Sequence, residues 1–181
     1  MRGGVDSILG IPVLGTDDEI ARYDRDEIEL VNGIGSVGVA TLRRKVYEKF
    51  KAQGYIFRQV VHPSAVVSPR ASLGEGVQVM AGAVINIGAS IGENSIVNTR
   101  ASIDHDCAIG SHVHIAPGCT LSGNVAVGDG CHIGTGASVI QGVSIGQNAL
   151  VGAGSVAIRD VAAGSVVCGV PARTAYGMSI I

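Results

Sequence analysis

Every sixth residue from Val61 onward is aliphatic: Val61, Val67, Leu73, Val79, Ile85, Ile91, Val97, Ile103, Ile109, Ile115, Leu121, Val127, Ile133, Val139, Ile145, Val151 and Ala157. In a chain that is 46% apolar, an unbroken column of this length arises by chance roughly twice in a million. A second column runs four residues behind the first: Ala65, Ala71, Val77, Ala83, Ala89, Ser95, Ala101, Cys107, Val113, Cys119, Val125, Cys131, Ala137, Val143, Ala149 and Ser155. All of these are small, and alternating large and small side chains is what a narrow closed tube can accommodate at interior packing density. Gly often follows the aliphatic position (Gly74, Gly92, Gly110, Gly128, Gly134, Gly146, Gly152), where the chain is expected to bend sharply. Three such bends close a triangular coil, so residues 18 apart stack. Residues 61–157 are therefore predicted to be mainly β, a parallel β-helix of about five coils paired about 4.8 Å apart.

Composition agrees and narrows the function classes. The chain has 27 Gly in 181 residues and only 3% aromatics, which suits a tightly turned repeat better than a bundle or sandwich. Each buried Ile, Val or Leu contributes about 1.5–3 kcal/mol, so the stack can hold together without aromatic residues. A net charge of -2 leaves no footprint for nucleic acid or for anionic lipid. No apolar run approaches a membrane span, and the residues after Met1 lack a signal-peptide core, so the expected compartment is the cytoplasm.

Residues 1–60 read differently. Thr16-Asp17-Asp18-Glu19 has the form of a capping box opening a short helix. Ile28–Asn32 reads as a strand, Gly33–Gly38 as a glycine-rich turn, Val39–Gln53 as an amphipathic helix closed by Gly54, and Tyr55–Val61 as a further strand. The turn matches G-x-G-x-x-G literally, but no acidic residue ends the next strand to hold a ribose, so a dinucleotide site is disfavoured. The expectation is a tight β–α turn. Residues 158–181 are expected to form a C-terminal cap or tail.

Cys107, Cys119 and Cys131 all fall in the small inward column, which makes them core side chains rather than nucleophiles or metal ligands. Cys168 carries no pattern. The histidines (His62, His105, His112, His114, His132) lie outside both inward columns and so are expected to carry no packing duty. His114 and His132 stack one coil apart on an outer face, and His62 sits beside Pro63 where the repeat begins. His105 lies in a bend between Asp104 and Asp106, and an imidazole beside a carboxylate is the minimal general-base unit. Gly123 stands 18 residues above it, where a missing side chain is expected to leave space beside the ring and let a backbone N–H reach a ligand oxygen.

Asn98-Thr99, Ile103-Asp104-His105-Asp106-Cys107, His114 and Ser122-Gly123-Asn124 resemble the NeuD/PglD-type sugar acetyltransferases, and Val61–Ala65 and Cys168–Arg173 extend the resemblance to roughly residues 10–175. The resemblance implies a left-handed β-helix, acetyl-CoA as co-substrate, no metal, and a homotrimer with active sites between subunits. It implies His105 as the base, with Asp106 orienting it (Asp104 in reserve), and places the family's Asn on Asn98. Cofactor contacts fall on His114, Gly123, Thr135 and Ala153, the last two sharing a column with Pro117. The Gly33-Ile34-Gly35 turn falls on the substrate side. The family opens with a Rossmann-like nucleotide-sugar domain, and this chain begins about where its second half should be. The expectation is therefore a small, incomplete α/β domain, either truncated or reduced.

The function so implied is acetyl transfer to the amine of a nucleotide-linked amino-sugar. A sugar or sialic acid O-acetyltransferase would use the same base, and a trimeric scaffold that has lost its substrate is the non-enzymatic alternative. A γ-type carbonic anhydrase is disfavoured, because it needs a pair of histidines five residues apart and no two here have that spacing.

Overall fold

The computed structural model describes residues 7–36, 38 and 41–175. From Val60 the chain winds as a solenoid of two-residue strands that stack into three parallel sheets, one per face. The first face carries Val60–Val61, Gln78–Val79, Ile96–Val97, His114–Ile115, His132–Ile133 and Leu150–Val151. The second runs from Val66–Val67 through Ser102–Ile103 to Val156–Ala157, and the third from Ser72–Leu73 through Ala108–Ile109 to Ser144–Ile145. The register is the one the repeat demands: Ser102 and Ile103 face Val84 and Ile85 below, and Thr120 and Leu121 above. Ile85, Ile103, Ile115, Leu121 and Ile133 are fully buried with Ala83, Ala101 and Ala137 between them, so the large and small columns fill the tube as expected.

The tube continues past Ala157. Val161 bridges to Ile145, and Val166–Cys168 pairs in parallel with Leu150–Val151 before turning back on Arg173–Thr174. These steps span 16 residues rather than 18, which is why the six-residue count loses them. Val161 and Val167 are buried in the same core. Cys168, expected outside any pattern, thus lies in a strand of the first face. The expected five coils become about six turns.

The glycines after the aliphatic positions have a different cause from the one expected. Gly74, Gly92, Gly110, Gly128 and Gly146 do not adopt left-handed backbone; a Cβ on each would run into the main chain or side chain of the coil above. The left-handed turn position comes two residues later. It is usually Gly or Asn, but in one coil it is held by Arg100, Asp106 and His112, with φ of 57°, 58° and 59°. Single non-Gly residues in this region are uncommon and often serve a function.

Before the tube, Ser7–Ile8 and Ile11–Pro12 form an antiparallel ribbon. Asp17–Arg22 is a 3-10 helix. Thr16 makes no side-chain cap, so the capping box is not formed; only the Glu19 N–H to Thr16 carbonyl bond closes the turn, at 3.0 Å. The expected strand at Ile28–Asn32 is reduced to one parallel bridge between Leu30 and Phe57, and that at Tyr55–Val61 to the same bridge plus Val60–Val61. Helix α1 spans Thr41–Ala52 and ends before Gly54, whose φ of 88° matches the expected stop. Its expected start at Val39 lies outside the described residues. Tyr47, Phe50, Tyr55 and Phe57 form a small second core. Lys51 pairs with Glu75 at 2.9 Å, and the Tyr47 hydroxyl donates to Glu93 at 3.0 Å, pinning α1 to the tube. Among the described residues no helix is long and apolar enough to cross a membrane.

The inward cysteines are inert for a physical reason. The Cys119 and Cys131 thiols donate to the carbonyls of Gly134 (2.9 Å) and Gly146 (3.0 Å), and burial pushes both up to about 11. Burial also raises Cys107. Titration of native protein with an aromatic disulfide should release one equivalent, from Cys168, and four after unfolding; more than one in the native state contradicts this packing.

Candidate active site

His105 stands in the bend between the second and third faces, and three bonds fix it. Its N–H donates to Asp104 Oδ1 at 2.7 Å, its carbonyl accepts the Asn124 N–H at 2.9 Å, and Nδ1 meets Asp106 Oδ2 at 2.9 Å. A carboxylate only accepts, so Nδ1 carries the hydrogen and Nε2 keeps its lone pair. That second nitrogen has no partner among the described residues and sits on a half-exposed ring. The Asp106 hydrogen bond, joined by the negative charges of Asp104 and Asp106, outweighs desolvation and holds the imidazole above its usual range. Asp104 points toward the main chain and accepts Asn86 Nδ2 at 3.0 Å.

Two glycines shape this corner. A Cβ on Gly88 would collide with Asp106 Oδ1, and one on Gly123 would overlap the His105 ring at Nε2 and Cε1. The space above His105 is therefore filled by the imidazole itself, not left as the open slot expected. The Gly123 carbonyl accepts the Gly142 N–H at 3.0 Å, while its own N–H takes no partner among the described residues.

His114 lies on the first face, across the triangular tube from His105. Its Nδ1 meets the Ser36 carbonyl at 3.0 Å and the Ser36 hydroxyl at 2.7 Å, which places the hydrogen there; Nε2 then accepts Asn98 Nδ2 at 3.0 Å. Asn98 Oδ1 in turn accepts the Thr99 N–H at 2.7 Å. His132 packs edge-on to His114, with ring centroids 5.0 Å apart. Burial lowers His114, and burial plus the neighbouring His114 lowers His132 to about 4, so both are neutral at pH 7.

The expectation that outward histidines carry no packing duty fails for two of them. His112 and His114 are 7% and 8% exposed, because the N-terminal segment covers the face they point from. Asn94 Nδ2 donates to His112 Nδ1 at 3.0 Å, and Tyr47 meets that ring edge-on. Arg43 of α1 is the clamp. It donates to the carbonyls of Asn32 (2.8 Å), Ile34 (2.7 Å) and Asn94 (3.1 Å), and burial lowers it to about 10. Asn32 Oδ1 accepts the Ile34 N–H and Gln78 donates to the Asn32 carbonyl, so the Gly33-Ile34-Gly35 turn is held against the first face. Gly33 and Gly35 are exposed, face open space and lack left-handed backbone, so the fold itself does not require glycine at either position.

A groove of about 670 Å³ runs along the corner between the first and second faces, lined by Thr99, Arg100, Pro117, Gly118, Thr135 and Gly136 among others. Ala153 continues the column of Pro117 and Thr135 beyond the groove lining. The structure thus sorts the expected site residues into three groups: His105, Asp106 and Gly123 at one corner; Asn98 and His114 with the Gly33–Ser36 turn on the opposite face; and Thr135 in the groove between. Asn86 and Arg43 were not among the candidates. Asn86 could have been found by subtracting 18 from Asp104; nothing in the sequence marks Arg43.

The family description "bacterial transferase hexapeptide (six repeats)" matches residues 88–123, the coils that carry both glycines, His105 and His114. Among curated proteins none matches the chain. Among solved structures, the acetyltransferase domain of PglB from Neisseria gonorrhoeae FA1090 is 36% identical over 97% of this chain and 84% of that one, with a TM-score of 0.90. The chain belongs to the NeuD/PglD-type family of hexapeptide-repeat sugar acetyltransferases. PerB from Caulobacter crescentus, solved in complex with CoA and GDP-perosamine, is 42% identical over 94% of this chain and 81% of that one, with a TM-score of 0.87. WeeI from Acinetobacter baumannii AYE is 26% identical over 93% and 80%, with a TM-score of 0.75. Members of this family are acyltransferases, and the β-helix carries their hexapeptide signature.

The geometry at His105 is testable by NMR titration of its ring protons. His105 should titrate above the ordinary value of 6.5 and His132 near 4. Asp106→Asn should bring His105 back down toward 6.5; an unchanged midpoint would show that the Asp106 bond does not govern the ring.

Proposed function

We propose that this chain transfers the acetyl group of acetyl-CoA to the amine of a nucleotide-linked amino-sugar, with His105 as general base. The observation that carries the reading is the His105–Asp106 pair: Nδ1 is held by a carboxylate at 2.9 Å while Nε2 is left free on an exposed corner. The similarity to PerB, whose structure holds CoA and GDP-perosamine, supports the substrate class. Nε2 accepts a proton from the sugar amine as its nitrogen bonds the thioester carbon. The negative charge that gathers on the thioester oxygen is met by the Gly123 N–H. Breaking the C–S bond releases the CoA thiolate, and imidazolium returns the proton to sulfur. Asp106 stabilises the imidazolium between the two transfers.

Asn98 and His114 lie across the tube from His105, so one pocket containing both draws them from different copies of the chain. This supports the homotrimer with active sites between subunits. In that arrangement Thr135 and Ala153 line the path of acetyl-CoA, and the Gly33-Ile34-Gly35 turn of the α/β segment offers the amides of its two exposed glycines to the nucleotide-sugar. His114, with both ring nitrogens engaged, contributes by fixing Asn98 and Ser36 at the cofactor side.

The deciding experiment measures thiol release from acetyl-CoA against a panel of nucleotide amino-sugars and hydroxyl-bearing sugars. Turnover with amines supports the reading. Turnover with hydroxyls alone makes the protein an O-acetyltransferase, and none with any acceptor makes it a scaffold. His105→Ala should lower turnover by about 10²–10⁴-fold while leaving the circular dichroism spectrum unchanged. Near-normal activity would remove His105 from its role.

Gly123→Ala makes a sharper test. Gly123 has no left-handed backbone, so alanine costs little there except through its methyl, which displaces the His105 ring. Turnover should fall at least about tenfold with the thermal midpoint nearly unchanged.

A further inference from the structure

The corner that holds His105 is built from two coils, and the lower one presents Asn86 directly beneath Asp104. We propose that Asn86 is a positioning residue for acetyl transfer, acting on His105 through Asp104. The inference rests on the reading of His105 as the base.

Two carboxylates flank this imidazole, and they perform different tasks. Asp106 Oδ2 takes the ring hydrogen, whereas Asp104 Oδ1 takes the main-chain N–H of His105. A free aspartate beside an imidazole has every electrostatic reason to turn toward the ring. Asp104 is kept from it by a second donor, Asn86 Nδ2, at 3.0 Å on the same oxygen that accepts the His105 N–H. With both donors in place, Asp104 Oδ1 anchors the backbone at the point where the imidazole branches from it. The Asn124 N–H anchors the other side of the residue at the His105 carbonyl. The ring is then left one orientation: against Asp106 on one side and over Gly123 on the other.

The chemistry of the side chain matters here. An amide can donate to Asp104 without adding charge to a cluster that already holds two carboxylates and the imidazolium. An aspartate in place of Asn86 would set like charges in contact and force one of them to move. Asn86 has no visible structural duty to confuse the test. Its side chain is exposed and makes only this one bond among the described residues, and its main-chain N–H to the Ile103 carbonyl is available to any residue. Loss of the side chain should therefore leave the thermal midpoint nearly unchanged.

The test compares Asn86→Ala, Asp104→Ala and the double variant in full-length protein, with His105→Ala as reference. Asn86→Ala should lower kcat by about tenfold, with KM for acetyl-CoA unchanged within twofold, as expected of a base slightly out of line. The double variant should be no slower than Asp104→Ala alone, since the amide works only through that carboxylate. Asn86→Asp should be slower than Asn86→Ala and should raise the pH of the acid limb in kcat/KM, because added negative charge favours the imidazolium. A wild-type kcat and pH profile in Asn86→Ala, with His105→Ala inactive, would overturn the role of Asn86 and leave the base in place. Losses that multiply in the double variant would overturn the route through Asp104. Full activity in His105→Ala would remove the base, and this inference with it.

Discussion

From Gln78 to Ala157 each strand residue of the tube rests on the one 18 positions before it, and the rest of the molecule is built on that register. The register is set by burial: a slip of one residue would turn Ile103, Leu121 and their column outward and push polar side chains into a core that has no water to receive them. Because the inward columns fix the stack, the outward positions can serve chemistry. Arg100, Asp106 and His112 occupy the left-handed turn positions of a single coil, where neighbouring coils place mostly Gly and Asn. Two of the three have visible partners: Asp106 holds His105, and His112 meets Asn94 and Tyr47.

The same register explains what could be read from the sequence. A period of six is local information, so the coils, their buried columns and the burial of Cys107, Cys119 and Cys131 follow from counting. Gly123 falls over His105 for the same reason, though counting could not show that the ring would occupy the gap. Counting fails where the step changes to 16, at Val161 and Val166–Cys168. It also fails where the tube meets another segment. His112 and His114 point away from the core of the coil and are buried anyway, because α1 and the turn before it lie on top of them. That burial depends on Arg43, which reaches Asn32, Ile34 and Asn94 across gaps in sequence no periodicity records.

The N-terminal segment therefore has a physical character unlike the tube. Polar side chains such as Arg43, Tyr47 and Lys51 tie it to the tube, and its own core is four buried aromatic side chains with Ile20, Ile28, Leu30 and Val46 packed against them. Arg43 carries a charge into a nearly closed space, where each carbonyl it reaches offsets part of the cost of leaving water. Such a clamp specifies one docking arrangement more than it stabilises it. The result is a glycine turn held firmly at Asn32 and Ile34 and open at Gly33 and Gly35.

The placement of His105 across the tube from Asn98 and His114 has a consequence for symmetry. A chain that carries His105 and Asn98 on surfaces facing opposite ways cannot pair those two surfaces by a two-fold axis, which brings identical patches together. It can pair them only head to tail, the His105 corner of one copy against the Asn98 face of the next. Head-to-tail contacts either close into a ring or run on as a filament. Under the function proposed here, a closed ring is the only assembly in which no copy is left with an unmatched half, and the number of sites equals the number of chains.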